Sequence, residues 1–344
     1  MSDSSKTPIL PVSDPPIGDS GQRLYKGDEK FFKGSAMTKR GAYAAISYMG
    51  CAVLLVMFNK AALSSYNYPC ANVITLFQMI SSCCFLYALR RWKIISFMAG
   101  ESLIISDNST TFVSLKTLRH TFPMAGAYLL YMLATMESVR GVNVPMYTTL
   151  RRTTVVFTMF VEYILSRQRY TSSVVGSVGL IVFGAFVAGA RDLSFNAYGY
   201  SIVFLSNITT AIYLATIARI GKTSGLNSFG LMWCNGLICG PVLLLWTLIR
   251  GDLEMTINFP DLFSPGFLVV ILFSCILAFF LNYCIFLNTT LNSAVTQTIC
   301  GNLKVRIPVT SFLIFCALNF LNVIGQLLGF IGSVLYAYYK LMGK

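Results

Sequence analysis

Charge is what this chain has least of. Only 11% of its 344 residues are charged while 55% are hydrophobic, and an ordinary soluble domain carries about 25% charged residues. So little charge cannot cover a water-facing surface, which excludes a soluble enzyme. Acids are scarcer still, with 13 Asp plus Glu against 26 Lys plus Arg, and there is one histidine, His120. That leaves too few carboxylates and imidazoles for clustered general bases or metal ligands. The 10 cysteines include no C-x-x-C pair and sit in or at the ends of apolar runs, so neither a disulfide framework nor a zinc site is indicated. No metal or other cofactor is expected. The net charge of +13 does not mark a nucleic-acid binder, because the cations flank apolar runs and form no patch with interleaved aromatics.

What the chain has instead is apolar length. Runs of about 20 residues, each enough to cross a hydrocarbon core roughly 30 Å thick, recur at 41–63, 70–89, 120–139, 143–165, 174–190, 197–218, 229–249, 266–287, 292–314 and 321–339. Connections are short except 90–119 and 250–265, and none can house a catalytic domain. Residues 1–40 are polar and rich in Pro, Ser and Gly, and read as a disordered tail. The tail also holds Asp3, Asp14, Asp19, Asp28 and Glu29 and has no apolar centre, unlike a transit or signal peptide. Lys and Arg concentrate on one side of the predicted spans, from Lys39 and Arg40 through Arg90, Arg91 and Lys93 to Lys340, whereas the other side holds Arg140, Arg191 and Arg250. The positive-inside rule then places both termini in the cytosol. Asn108-Ser109-Thr110 would face the cytosol and stay unglycosylated.

An internal repeat is expected from two matches at one offset: Leu150-Arg151 with Leu303-Lys304, and Gly176 and Gly179 with Gly329 and Gly332. Five spans per unit, 41–190 and 191–344, force the second copy to insert upside down. The fold class is therefore an all-α membrane protein of ten transmembrane helices in two inverted five-helix repeats, with the binding site at the midplane. Gly325 and Gly329 form a G-x-x-x-G step, which serves internal packing or a homodimer.

Five cations fall inside predicted spans: Lys60, Arg151, Arg152, Lys304 and Arg306. Such residues face a cavity or a counter-charge, because a bare charge at the bilayer centre costs about 2.5–3.5 kcal/mol. Counter-charges are few, only Glu137 and Glu162, and Glu162 reads as interfacial beside Arg167 and Arg169. At about 1.5 Å per residue, Arg151 and Lys304 lie roughly 12 and 18 Å deep. Two cations related by the repeat make an anion site suited to a diphosphate, Arg as a planar fork and Lys as a point charge. Arg152 is expected to bond backbone carbonyls or Glu162, and Lys60 is a gate or an interfacial residue. Asn59, Tyr131, Tyr147, Trp233, Asn235 and Asn302 supply polar groups for a nucleotide pocket.

The runs FNKAALSSYNYP at 58–69, VPMYTTLRR at 144–152, FGAFVAGARDLSFNAYGY at 183–200 and GNLK at 301–304 resemble nucleotide-sugar transporters of the drug/metabolite transporter superfamily. The likeness is greatest to the plant Golgi branch for UDP-N-acetylglucosamine and its animal relatives for UDP-glucuronic acid and UDP-N-acetylgalactosamine. It implies exchange of a cytosolic UDP-sugar for lumenal UMP at the Golgi membrane. It also implies phosphate and sugar contacts from Arg151 and from Gly301 to Lys304, and base recognition by Trp233-Cys234-Asn235. Gly236 stands where GDP-mannose transporters carry a second Asn, which favours uridine. Two departures remain: Cys234 replaces the usual Tyr, and 305–320 matches the family poorly. That segment leaves a transport-inactive binding or scaffold variant as the alternative, with a multipass transferase as another and a plastid phosphate translocator as the rival transporter.

Overall fold

The computed structural model describes residues 37–98, 113–142, 144–189, 197–304 and 320–343. The tail before residue 37, the 108–110 acceptor, Arg191, Arg306 and the rest of 305–319 lie outside the described residues, as do the side chains of Lys304 and Arg140. The described chain is helical: α1 (Lys39–Lys60), α2 (Ala71–Arg91), α3 (Leu115–Gly141), α4 (Val144–Arg151), α5 (Thr154–Ser166), α6 (Ser172–Gly189), α7 (Ala197–Thr223), α8 (Ser228–Ile249), α9 (Asp252–Ile257), α10 (Pro265–Leu291), α11 (Ala294–Lys304) and α12 (Phe320–Met342). Among the described residues the extended pairing is one isolated bridge, Met98 with Leu226. Six helices are long and apolar enough to cross a membrane: α1 with the π turn Ala61–Ser65 that prolongs it, α2, α6, α7, α8 and α10.

Helix starts follow local chemistry. Ser114, Asn227 and Ser264 each accept a backbone N–H of the first turn, from Thr117, Gly230 and Phe267, which satisfies donors a helix start would leave orphaned. Asn227 also donates to Ser96 O at 2.6 Å, tying the 92–98 loop to α8.

Two expectations change. The stretch 250–265 contains α9, held by Asn72 Nδ2 donating to Asp252 Oδ2 at 2.7 Å and by the Tyr68–Thr256 hydroxyl pair at 2.7 Å. The run 143–165 is not one helix but breaks between Arg151 and Thr154. The i→i+4 pattern gives way to Arg152 N donating to Thr149 O and Thr153 N to Leu150 O. The hydroxyls of Thr153 and Thr154 bond back to Leu150 O and Arg151 O at 2.7 and 2.6 Å, the competition with helical bonding that such side chains offer. A break inside a membrane needs a partner for the freed backbone. Asn207 of α7 supplies it, donating to Leu150 O at 3.0 Å and accepting from Thr154 Oγ1 at 2.8 Å.

The helices pair selectively. α6 lies along α12, α3 along α7, and α1 along α10; α2 packs on α10 and α8, α3 on α8, α5 on α7 and α11, and α11 on α1. The G-x-x-x-G step of α12 is consumed inside the chain. A Cβ on Gly184 of α6 would lie 2.5 Å from Gly325 O and 2.6 Å from Gly329 N, so those faces meet backbone to backbone, and the step is not free for a second copy. Gly184→Leu is expected to abolish the monodisperse folded species on size-exclusion chromatography. A normal elution profile would show that α6 and α12 do not need this contact.

Candidate functional site

A cavity of about 420 Å³ opens where α3, α4, α7, α10 and α11 converge beside α1, within the range of sites for drug-sized ligands. Arg151 ends α4 at the helix break, which turns its side chain across to α7. There Nη1 donates to Ser206 Oγ at 3.0 Å and to Thr210 Oγ1 at 2.9 Å. The guanidinium also lies over the rings of Tyr131 and Tyr147, at 5.9 and 5.8 Å, where ring faces attract a cation. Among the described residues no carboxylate pairs with Arg151. Arg151 is thus a cation held by neutral groups at the wall of a cavity.

The wall beside it, from α3 and α7, is aromatic. Tyr131 and Tyr213 stack at 5.6 Å with ring planes 8° apart, and Tyr128 meets Tyr213 edge-on at 5.3 Å. Tyr147, Gly301 and Asn302, named from the sequence, line the same cavity. Asn302 Nδ2 donates to Arg152 O at 3.4 Å, so α11 touches the broken span. Arg152 bonds the backbone, donating to Gln326 O at 3.3 Å, as one reading of the sequence held. Lys304 closes the described part of α11, one turn beyond Gly301.

Four expected site residues are not brought to the cavity. Asn59 Oδ1 accepts from Gln78 Nε2 at 3.0 Å and Ser274 Oγ at 2.6 Å, so its oxygen joins α1, α2 and α10. Lys60 is exposed at the end of α1. Trp233 stacks on Phe97 at 5.6 Å, pinning the 92–98 loop. Asn235 is buried and its Oδ1 receives the Cys239 thiol. Gly236 faces α2, where a Cβ would lie 2.5 Å from Cys83 Sγ, and Cys234 is buried in the core. Residues that the sequence reading missed include Tyr48, Tyr128, Thr210, Tyr213, Asn282 and Gln297. The i, i+3 spacing of Tyr128 and Tyr131 was the signal available for one of them.

Glu162 also differs from expectation. It is buried inside the protein, 1% exposed, rather than facing Arg167 and Arg169. Its carboxylate accepts from Ala294 N at 3.3 Å, Val295 N at 3.2 Å and Tyr170 OH at 2.8 Å. An acid on α5 thus caps the N-terminus of α11, where the helix dipole favours negative charge. Burial, and then the Glu162 charge, push the Tyr170 phenol well above its ordinary pKa, so it stays a donor to the carboxylate.

Known proteins resemble this chain over most of its length. The UDP-N-acetylglucosamine transporter UGNT1 of Arabidopsis thaliana is 70% identical over 98% of this chain and 99% of its own length. The UDP-sugar transporter sqv-7 of Caenorhabditis elegans is 29% identical over 88% of this chain and 89% of its own. A solved crystal structure, 14% identical, superposes with a TM-score of 0.55 over 86% of this chain and 96% of that one, a likeness of fold alone. The family model described as Triose-phosphate Transporter family matches residues 39–337. With nearly all of the helical bundle inside that match, the chain belongs to the triose-phosphate transporter family and is a transporter, not an enzyme.

Proposed function

We propose that this chain imports a UDP-sugar, foremost UDP-N-acetylglucosamine, into the Golgi lumen in exchange for UMP, by alternating access of two inverted five-helix repeats with both termini in the cytosol. The observation that carries the reading is Arg151, a cation without a carboxylate partner among the described residues, set in a cavity with a tyrosine wall. Phosphate answers the guanidinium, and the sugar answers the rings. The transporter at 70% identity is named for UDP-N-acetylglucosamine, which supports that sugar.

Helix pairing supports the inverted repeat. Exchanging α1 with α7, α2 with α8, α3 with α10, α4 with α11 and α6 with α12 turns the α1–α10 contact into α7–α3, α2–α10 into α8–α3, α4–α7 into α11–α1, and α4–α6 into α11–α12. The α6–α12 and α2–α8 contacts map onto themselves. The same exchange relates Arg151 to Lys304, so the second phosphate-binding cation comes from the opposite repeat.

Counterflow tests the proposal. Purified protein in liposomes preloaded with UMP should take up UDP-N-acetylglucosamine, while liposomes preloaded with GMP or left empty should take up little. Equal uptake into empty liposomes would overturn obligatory exchange, and failure with every UDP-sugar would overturn the substrate class.

A further inference from the structure

The cavity contains a second chemical feature, set by three amides. Asn292, at the α10–α11 junction, donates from Nδ2 to Gly41 O at 3.0 Å and to Asn288 Oδ1 at 2.6 Å. Asn288 in turn makes a short hydrogen bond from its Nδ2 to Gln297 Oε1. A backbone carbonyl can only accept, so the Gly41 carbonyl fixes which way every amide in the relay faces. Asn292 must turn its NH2 towards Gly41, Asn288 must then offer its oxygen to Asn292 and its NH2 to Gln297, and Gln297 is left with its own NH2. The Asn292 amide fills the space a side chain at Gly41 would need, which holds the anchor tight. Asn288 is fully buried and Gln297 only 3% exposed. Gln297 lines the cavity, and its Nε2 makes no hydrogen bond among the described residues. The relay therefore presents the cavity with an N–H donor that cannot be reversed locally.

We propose that Gln297 reads the nucleobase by donating to the C4 carbonyl of uracil; this rests on reading the cavity as a uridine-nucleotide site. The surroundings suit a base. Leu214, Leu281 and Ile285 line the same cavity and offer apolar walls to the ring faces. Asn282 also lines it, with no hydrogen bond among the described residues, and is free to rotate and serve either edge of a pyrimidine. Gln297 is not free. Uracil has an acceptor at C4 and cytosine an amine, so the fixed donor accepts one and opposes the other. The base-reading element thus moves from α8, where the resemblance put it, to the α10–α11 junction.

The test inverts the relay. In Asn288→Asp the new carboxylate accepts from both Asn292 and Gln297, and the oxygen of Gln297 turns to the cavity. Gln297→Glu places an acceptor there directly, and Gln297→Met places neither. Exchange into UMP-loaded liposomes is measured with UMP and CMP as external competitors, alongside melting of each variant without nucleotide. Wild type should prefer UMP over CMP at least about tenfold. Asn288→Asp and Gln297→Glu should reverse the order, and Gln297→Met should flatten it. Variants that melt normally and keep the wild-type ratio would overturn the proposal, as would a change confined to discrimination among UDP-sugars. Should Asn288→Asp not fold, the two Gln297 variants decide alone. Absence of any uridine-nucleotide exchange in wild type would refute the proposed function itself, whereas normal exchange with unmoved ratios refutes only the relay.

Discussion

Arg151→Ala is expected to cut exchange of UDP-sugar for UMP at least about a hundredfold, because two charge-assisted hydrogen bonds to phosphate, at about 1.5–3 kcal/mol each, would be lost. The side chain is anchored by Ser206 and Thr210 and backed by two tyrosine rings, so its fork is already aimed when ligand arrives. Arg151→Lys should recover only a small part, since an ammonium keeps the charge but not the planar pair of donors. Lys304→Ala should be as damaging. UDP-N-acetylglucosamine carries about two negative charges and so does UMP near pH 7, the second phosphate pKa being about 6. On the proposed reading two cations would balance either ligand, and the loaded carrier would reorient with its site neutralised. The empty carrier would close over two unpaired charges, at several kcal/mol each, which slows its return and couples import to export. Wild-type uptake should accordingly depend on internal UMP and little on membrane potential. Near-normal exchange by correctly folded Lys304→Ala protein would end the charge-matching account.

Glu162→Ala is expected to destabilise the fold by about 2–5 kcal/mol, since each buried donor left unsatisfied costs about 1–3 kcal/mol. The carboxylate serves two backbone N–H groups of α11 and the Tyr170 hydroxyl. Glu162→Gln, keeping an acceptor but losing the interaction of charge with the helix dipole, should fall between. The consequence reaches the cavity, because α11 carries Gln297, Gly301, Asn302 and Lys304. Thermal unfolding in detergent and exchange rate should therefore drop together in Glu162→Ala. A variant that melts like wild type would show that α11 is held by packing alone.

The base-reading proposal and the phosphate-reading one set different physical requirements on the same cavity. Arg151 is held by hydroxyls that leave its charge unbalanced, and Gln297 by amides that leave its donor unpaired. Each site is a group fixed in place with one valence open, which is what preorganised recognition needs.

The sequence by itself determined that the chain lives in a membrane, since apolar length and scarcity of charge are counted locally. Its apolar runs fall on helices wherever the residues are described, and it singled out Arg151, Tyr147, Gly301 and Asn302, because polar groups within apolar runs are costly and few. It could not say how each such group is satisfied. Asn59, Asn235 and Glu162 have the same apolar flanks as Asn302, yet the fold spends Asn59 and Asn235 on packing contacts and Glu162 on capping α11. The break after Arg151, the union of Tyr128, Tyr131 and Tyr213, and the direction of the Gln297 amide were likewise decided only in three dimensions. Each depends on a partner far away in the chain: Asn207 for the break, α7 against α3 for the tyrosines, and the Gly41 carbonyl for the relay. Hydropathy reports the cost of placing a polar group in the membrane, and only the meeting of helix faces decides which neighbour, or which ligand, offsets it.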